Sequence, residues 1–308
     1  MKMYISKNSY LYRWLKEIWR WYSRTKNRLL STFFPKYNTQ RLFKKRFGRK
    51  IEWKHPVEIN DKIQWLKFNT YYHNDVITQC VDKYRVREYL EAKGMGNLLP
   101  KLYGVYTKGE DIEWQNLPKQ FVIKCNHGCG YNILCTDKDK LNQNDTVKQL
   151  KKWMREDYWK DRAEVQYKYV EKKIIVEEYL GDNLATHKFL CFNGVPKSLY
   201  IISDGNGIKD LYLDYFDMDW NRLSYIHQGR HEHYPGEITK PASFEKMKDI
   251  AEKLSRGFPF VRVDLYDVQG EVFFSELTFI PTAGFMRLEP KEIAKQWGDL
   301  LDLPLFSK

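Results

Sequence analysis

The segment FVRVDLYDVQGEVFFSELTF, residues 260–279, contains two β-rich runs of alternating apolar and polar residues on either side of Gln269-Gly270. This pattern predicts a β-hairpin. Because side chains alternate between the faces of a strand, Arg262 and Asp264 share one face of the first strand. Glu276 and Thr278 share one face of the second strand for the same reason.

The length of the turn decides whether the polar residues of this hairpin meet. A two-residue turn would set Asp264 opposite Ser275 and send Asp264 and Glu276 to opposite faces. An odd-length loop would pair Asp264 with Glu276 and Arg262 with Thr278. That register gathers two carboxylates, one cation and one hydroxyl in a patch that suits Mg²⁺ bound to phosphates. An ordinary charged surface on an exposed strand pair is the alternative.

Two further segments upstream could bind a nucleotide. Residues 120–126 and 131–136 are β-rich runs separated by HGCG, which predicts a hairpin with a glycine loop. Lys124 near the end of the first run could place a cation beside backbone N–H groups that face phosphate oxygens. The run KKIIVEEYL, residues 172–180, predicts a strand whose exposed backbone could bind an adenine edge, with a plain strand end as the alternative.

The remaining pattern predicts a mixed α+β fold, because helices and strands alternate without regular βαβ spacing. A hairpin over residues 187–202 is predicted to turn at Asn193-Gly194. The predicted helices cover residues 60–68, 75–94, 145–164 and 243–255.

In this order, the motifs resemble the ATP-grasp superfamily and, more closely, its TupA-like branch, which is associated with bacterial teichuronopeptide and surface-polysaccharide synthesis. The resemblance runs from about Ile59 to Pro290. The motifs that carry it are NDKIQWLKF, CVDKYRVREYLEAKG, FVIKCNHGCGYNIL, VEEYL, HKFLCFNGVPK, RVDLYD and FSELTFIPTAGF.

The resemblance implies an ATP-grasp fold in which two α+β lobes grip a nucleotide between antiparallel sheets. Residues 1–50 would form a basic N-terminal arm, and residues 51–118 would lead into the core. Residues 119–185 would form the small nucleotide-binding lobe, and residues 186–308 the large lobe with the metal-binding strands.

The resemblance also implies a set of nucleotide ligands in this sequence. Two lysines would hold the phosphates, two glycines would form the loop over them, and residues 177–180 would hold adenine, with a carboxylate on its amino group. Asp182 is the candidate ribose ligand. The full set is Lys83, Lys124, Gly128, Gly130, Glu177, Glu178, Tyr179, Leu180, Asp182 and Lys188.

Asp264 and Glu276 would be the Mg²⁺ carboxylates, and Thr278 stands where the superfamily usually has Asn. Arg262, with Lys188, would steady the reacting phosphoryl group. The implied reaction activates a carboxylate with ATP as an acyl phosphate, which an amine attacks to give an amide, ADP and phosphate. The implied substrates are an acidic sugar or sugar polymer and an amino compound.

The positive charge of the chain lies in its first 50 residues. The chain of 308 residues has a net charge of +12, yet residues 1–50 hold 15 basic residues and one acid, Glu17. The other residues therefore carry a net charge of −2. This distribution argues against a protein that wraps nucleic acid over its whole surface, and no nucleic acid is expected as a partner.

Residues 10–24 predict an amphipathic helix with an aromatic face and a cationic face. The apolar side contains Leu11, Trp14, Leu15, Ile18 and Tyr22. The opposite side contains Arg13, Lys16, Glu17, Arg20 and Arg24. Such a helix suits the surface of an anionic membrane, although a terminal helix packed on the body is the alternative.

No apolar run is long enough to span a membrane, and the N-terminus lacks the apolar core of a secretory signal. The five cysteines do not suggest a disulfide framework. We therefore expect a cytoplasmic protein, peripheral on the inner face of the plasma membrane.

Other constellations point to competing functions. Asp217 and Asp219 form a D-x-D pair, which in a glycosyltransferase would hold a metal diphosphate, but next to Trp220-Asn221 a turn between strands is the simpler interpretation. His227, His231 and His233 could gather a metal, but flanking Gly and Pro mark a loop, where acceptor binding or plain exposure is favoured over zinc. Cys125, Cys129 and Cys135 surround the glycine loop without a matching second cysteine pair, which argues against a zinc site. A non-catalytic nucleotide-binding protein at the membrane is the third hypothesis.

Overall fold

The computed structural model describes residues 10–182, 184–204, 211–223, 226–228 and 231–304. Its helices are α1 Tyr10–Phe33, α2 Pro35–Phe47, α3 Ile59–Asn69, α4 Asp75–Val81, α5 Val86–Ala92, α6 Gln143–Arg155, α7 Phe244–Ser255 and α8 Glu292–Asp299. Its strands are β1 Leu102–Tyr106, β2 Phe121–Cys125, β3 Asn132–Cys135, β4 Ile174–Glu178, β5 Thr186–Phe192, β6 Val195–Asp204, β7 Leu211–Phe216, β8 His227–Gln228, β9 Phe260–Val268, β10 Glu271–Thr278 and β11 Leu288–Glu289.

The strands form two main antiparallel sheets, so the predicted α+β class is confirmed. The small sheet has the strand order β1-β4-β2-β3, and the large sheet has the order β10-β9-β5-β6-β7. Strands β8 and β11 form a separate short pair. Each main sheet has its own apolar core. Phe121, Ile123 and Leu150 lie in the core of the small sheet, and Phe189 and Val263 lie in that of the large one.

Two helix boundaries lie at residues with strong capping preferences. The side chain of Asn142 accepts a hydrogen bond from the backbone of Asp145 and thereby caps α6. Gly48 ends α2 in the left-handed conformation that favours glycine. The predicted helix over residues 60–68, the helix over 243–255 and the hairpin that turns at Asn193-Gly194 are all confirmed.

Two helix predictions need correction. The single helix expected over residues 75–94 is broken into α4 and α5, because Asp82 has an extended backbone and its carboxylate accepts hydrogen bonds from the N–H groups of Tyr84 and Arg85. A carboxylate that caps the following turn competes with a continuous helix. The helix expected over residues 145–164 ends at Arg155, and 3₁₀ turns follow it.

The last hairpin differs from expectation in its turn and agrees with it in its pairing. Val268 pairs with Glu271, so the turn has two residues, not an odd number. The register then shifts at a β-bulge between Phe274 and Glu276, and Ser275 is the extra residue. Beyond the bulge Asp264 pairs with Glu276. The bulge, not the turn, therefore places both carboxylates on one face.

The N-terminal helices pack on the body through ion pairs and a buried aromatic side chain. Arg24 and Arg28 of α1 form ion pairs with Asp161, with N–O distances of 3.5 and 2.9 Å. Phe43 of α2 is fully buried, and Arg49 binds the buried Asp61. No helix within the described residues is both long and apolar enough to cross a membrane.

The bulge leads to a test by deletion. Deleting Ser275 should remove the bulge, keep Asp264 opposite Glu276 and leave Phe274 in the core, because the remaining residues alternate without interruption. Deleting Phe273 instead would move Phe274 to the opposite face and bring Ser275 into the core. In urea denaturation, we expect the Phe273 deletion to be less stable than the Ser275 deletion by about 3 kcal/mol, the cost of losing a buried phenylalanine. Equal stabilities would contradict the bulge.

Candidate active site

A fully buried carboxylate, that of Asp264 on β9, is at the centre of the site. Arg262 binds it through two parallel contacts, Nε to Oδ1 at 2.6 Å and Nη2 to Oδ2 at 2.7 Å. Lys188 on β5 adds a contact from Nζ to Oδ2 at 2.5 Å. A buried carboxylate is tolerated only when it is paired and hydrogen-bonded, and these two cations meet that requirement.

Arg262 also joins Asp264 to the neighbouring strand. Its Nη2 lies 2.8 Å from Oε1 of Glu276 and 3.0 Å from Oγ1 of Thr278 on β10. The Thr278 hydroxyl in turn donates to the same Glu276 oxygen at 3.2 Å. The four residues predicted to share one face are therefore connected through Arg262.

The neighbouring charges shift the pKa values of Glu276 and Lys188. Burial alone would raise the pKa of Glu276, but the positive charges of Lys83, Arg262 and Lys188 outweigh it and lower the pKa to about 2. Burial alone would lower the pKa of Lys188, but the neighbouring Asp264 raises it above its ordinary value. At neutral pH Glu276 is therefore ionised and Lys188 is protonated.

A second β-bulge completes this face of the large sheet. The register between β5 and β6 shifts at Lys197, so Lys188 pairs with Tyr200 rather than Leu199. The guanidinium Nη1 of Arg262 lies 3.0 Å from the Tyr200 hydroxyl oxygen. Tyr200 was not predicted as a site residue, because a regular hairpin turning at Asn193-Gly194 would place Leu199 there.

The small sheet supplies a second charged group. Lys124 on β2 and Glu177 on β4 lie on the same face, and Lys124 Nζ is 2.7 Å from Glu177 Oε2. Arg87 of α5 contacts the other oxygen of Glu177 at 3.3 Å. Burial alone would lower the pKa of Lys124, but Glu177 raises it above its ordinary value. The contact of Arg87 with Glu177 was not predicted, since the residue gives no motif signal.

The glycine loop contacts Lys83 and passes close to Tyr158. Lys83 donates from Nζ to the backbone oxygen of Gly128 at 2.7 Å. The loop passes so close to Tyr158 that a Cβ on Gly128 would lie 2.6 Å from its ring, and Gly130 has a positive φ of 77°. Only glycine fits both constraints without strain.

The glycine loop next to the small sheet and the face of the large sheet border one cleft, which is lined by Cys129, Lys188 and Glu276. The charge of Glu276 on the large sheet interacts with Lys83 and Lys188, and the charge of Lys124 on the small sheet interacts with Glu276. Lysines from different elements therefore converge on the carboxylate face.

The predicted adenine segment lies at the end of β4. The backbone N–H of Lys101 donates to Glu178 Oε2 at 3.2 Å, which ties this segment to the start of β1. The Tyr179 hydroxyl donates to the exposed Asp182, and Leu180 is partly exposed between them. The carboxylate of the predicted adenine ligand Glu177 contacts Lys124 and Arg87.

This geometry can be compared with known proteins. A family model described as TupA-like ATPgrasp matches residues 61–302. The chain belongs to this family. The match confirms the resemblance and the expected ATP-grasp fold.

Solved structures that are similar to this TupA-like chain include three ligases. D-alanine–D-alanine ligase from Bacillus anthracis complexed with ATP is 17% identical, with 65% of this chain and 55% of that chain covered and a TM-score of 0.42. D-Alanine–D-alanine ligase from Helicobacter pylori is 13% identical, with coverages of 80% and 70% and a TM-score of 0.44. Phosphoribosylamine–glycine ligase from Thermotoga maritima is 12% identical, with coverages of 69% and 52% and a TM-score of 0.43. The chain thus spans about half the length of the first of these ligases. A comparison with curated proteins finds no match.

Among the competing constellations of the TupA-like chain, the D-x-D pair has a structural role. Asp217 accepts hydrogen bonds from the backbone of Asp219 and from Asn221, so the D-x-D pair forms a turn. The described residues contain no group of three or more His, Cys, Asp and Glu that could hold a metal.

The histidines and cysteines considered as metal ligands lie in different environments. His231 borders the cleft, His233 lies 3.1 Å from Asp214, and the side chain of His227 is outside the described part of the chain. Cys125 and Cys135 are buried, and Cys129 is exposed in the glycine loop.

The low pKa of Glu276 predicts a pH-dependent loss of stability. Glu276→Gln should be less stable than wild type at pH 7, because it removes a carboxylate held by cations. The folded pKa of about 2 lies below the ordinary 4.5, so this stabilisation is complete above about pH 4.5 and is lost as the pH falls through 2. The difference in unfolding free energy between wild type and Glu276→Gln should therefore shrink over that range in urea denaturation.

The exposed Glu91 provides a matched control, since Glu91→Gln should leave the unfolding free energy close to wild type throughout. A Glu276→Gln difference that stays constant or grows toward low pH would contradict the proposed charge arrangement.

Proposed function

We propose that the chain is an ATP-dependent carboxylate–amine ligase that acts on a bacterial surface polysaccharide or its precursor. The observation that carries the proposal is the face formed by Lys188, Arg262, Asp264 and Glu276, toward which Lys83 and Lys124 converge. A transferring phosphoryl group needs such preorganised cations around the charge that develops on its oxygens. The TupA-like family match supports the same reaction class.

The proposed roles follow from the positions in the cleft. Lys83 and Lys124 would hold the phosphates of ATP, with the loop at Gly128 and Gly130 closing over them. In the free protein both lysines already have oxygen partners, the Gly128 carbonyl and the Glu177 carboxylate. Phosphate oxygens would replace or share these partners when ATP binds.

The donor set also fits Mg²⁺. Asp264 and Glu276 are cross-strand neighbours bridged by one guanidinium, and a carboxylate has about four lone-pair sites, so each can bind a cation and a metal together. Mg²⁺ is usually held by one or two carboxylates together with substrate phosphates. The bound ion would neutralise charge on the phosphates, and Thr278 would offer one further oxygen.

The proposed reaction has two steps. A carboxylate oxygen of the acidic substrate attacks the γ-phosphorus of ATP, and ADP leaves with the electrons of the broken P–O bond. An amine then attacks the acyl carbon, phosphate leaves, and an amide remains after proton loss. Arg262 and Lys188 would hold the transferred phosphoryl group. A protein that binds ATP but releases no ADP with any pool of acids and amines would support a non-catalytic role instead.

Substitution of Lys124 tests the phosphate site. Lys124→Ala should weaken the binding of Mg²⁺ and a non-hydrolysable ATP analogue at least about tenfold in calorimetry, because it removes a charged phosphate partner. The chain should still fold, since Arg87 remains as a partner for Glu177. The exposed Lys119 is a matched control, and Lys119→Ala should bind like wild type. Unchanged affinity in a folded Lys124→Ala protein would reject this role.

The basic N-terminal arm is proposed to hold the protein on the cytoplasmic face of an anionic membrane. Trp14, Ile18 and Tyr22 of the predicted apolar face are 60%, 42% and 55% exposed, and Trp21 beside them is 69% exposed. Leu15 is also exposed, whereas the side chain of Leu11 lies outside the described residues. Exposed tryptophan and tyrosine flanked by cations match the boundary between lipid headgroups and acyl chains.

Serine substitutions on this face test the membrane role. Trp14→Ser combined with Trp21→Ser should lower binding to phosphatidylglycerol vesicles about tenfold or more in a sedimentation assay, since each buried aromatic side chain contributes strongly to binding. A control pair, Val76→Ser with Leu134→Ser, removes exposed apolar side chains elsewhere and should leave vesicle binding unchanged. Equal losses in the two double variants, or no binding by wild type, would contradict the proposal.

A further inference from the structure

A cavity of about 930 Å³ adjoins the carboxylate face and is partly walled by the N-terminal arm. One side consists of large-sheet residues, among them Lys188, Tyr200, Arg262 and Glu276. The other side includes Arg20 and Arg24 of α1 and Arg46 of α2. The arm therefore contributes side chains to the space beside the proposed reaction centre.

The cavity has a strong surplus of positive charge. Of the described residues that line it, seven are lysine or arginine and two, Asp161 and Glu276, are acidic. Arg262 and Lys188 are already paired with Asp264, and Arg24 with Asp161. The other cations are the exposed arginines Arg20, Arg46, Arg162 and Arg287. Arg20 contacts the exposed Glu17, and Arg287 contacts the exposed Glu289.

Helix α1 does not bury its aromatic side against the body, as a helix that covers an apolar core would. Its cationic side faces the body, where Arg24 and Arg28 form ion pairs with Asp161. Its aromatic side, with Trp14, Trp21 and Tyr22, faces away from the body. The arginines of α1 therefore have a position next to the cavity that packing alone does not require.

We propose that Arg20, Arg46 and Arg162 form an anion-binding subsite that holds a second phosphate or carboxylate group of the acidic substrate. This inference rests on the proposed ligase function, because it assigns the first anionic group, the carboxylate that is activated, to the region of Arg262. The substrate is thus a molecule with at least two anionic groups, one at the reaction centre and one at the arm.

The chemistry of the rim favours such a ligand. Arginine binds phosphate and carboxylate through two parallel N–H contacts, which gives direction as well as charge. Arg20 and Arg46 come from the two helices of the arm, and Arg162 comes from the turn that follows α6. A helix with its side chains is about 10 Å across, so a membrane on the outer face of α1 would lie one helix diameter from this subsite.

The subsite is tested with inorganic phosphate as the probe. The full chain is first saturated with Mg²⁺ and a non-hydrolysable ATP analogue, so that the nucleotide site is filled, and phosphate is then titrated in calorimetry. We expect Arg20→Gln combined with Arg46→Gln to weaken phosphate binding about fivefold or more, as for the loss of two partly exposed cation–anion contacts. The control, Lys26→Gln with Lys44→Gln, removes the same charge from exposed positions of the arm and should change it less than twofold.

The other outcomes distinguish failure of the subsite from failure of the ligase proposal. Wild-type protein that binds the ATP analogue but no phosphate, or equal phosphate affinity in both double variants, would overturn the subsite while leaving the ligase proposal intact. Failure of wild type to bind the ATP analogue would remove the proposed function itself. Phosphatidylglycerol vesicles distinguish a free anion from a lipid headgroup. A vesicle-binding loss confined to Arg20→Gln with Arg46→Gln, without a change in phosphate affinity, would also overturn the subsite.

Discussion

Burial of the Asp264 carboxylate is the constraint on which the rest of the site depends. An unpaired carboxylate in this position would cost several kcal/mol, so the fold must bring cations to both of its oxygens. Arg262 and Lys188 do so, from the same strand and from its neighbour β5. Because Arg262 also reaches Glu276 on β10, the pairing of three strands is coupled to one charged cluster.

The same cluster explains how the two sheets cooperate. The positive charges of Lys83 and Lys188 act on Glu276, while Glu177 holds Lys124 in the cleft of the free protein. Such pairs keep the cations oriented before a ligand arrives, which reduces the reorganisation needed when charge develops. The arm adds arginines at the edge of the cavity, and its aromatic side chains are exposed on its other face.

Much of this arrangement follows from the sequence, and the failures have local physical causes. Strand alternation and the glycine turns located the hairpins that carry Lys188, Asp264 and Glu276. The bulge at Ser275 has no sequence signal of its own, so the pairing was correct but the odd-length turn was wrong. Tyr200 was missed because the bulge at Lys197 shifts its strand by one residue. Arg20 and Arg46 depend on how the arm packs, which a helical wheel does not specify.

We propose that the bulged hairpin and the glycine loop together bind a metal–nucleotide complex. The most direct measurement is a crystal structure of the full chain with Mn²⁺ in place of Mg²⁺ and a non-hydrolysable ATP analogue. We expect anomalous density within about 2.5 Å of carboxylate oxygens of Asp264 and Glu276, with the phosphates against Lys83 and Lys124. Nucleotide bound elsewhere, or metal density away from both carboxylates, would contradict it.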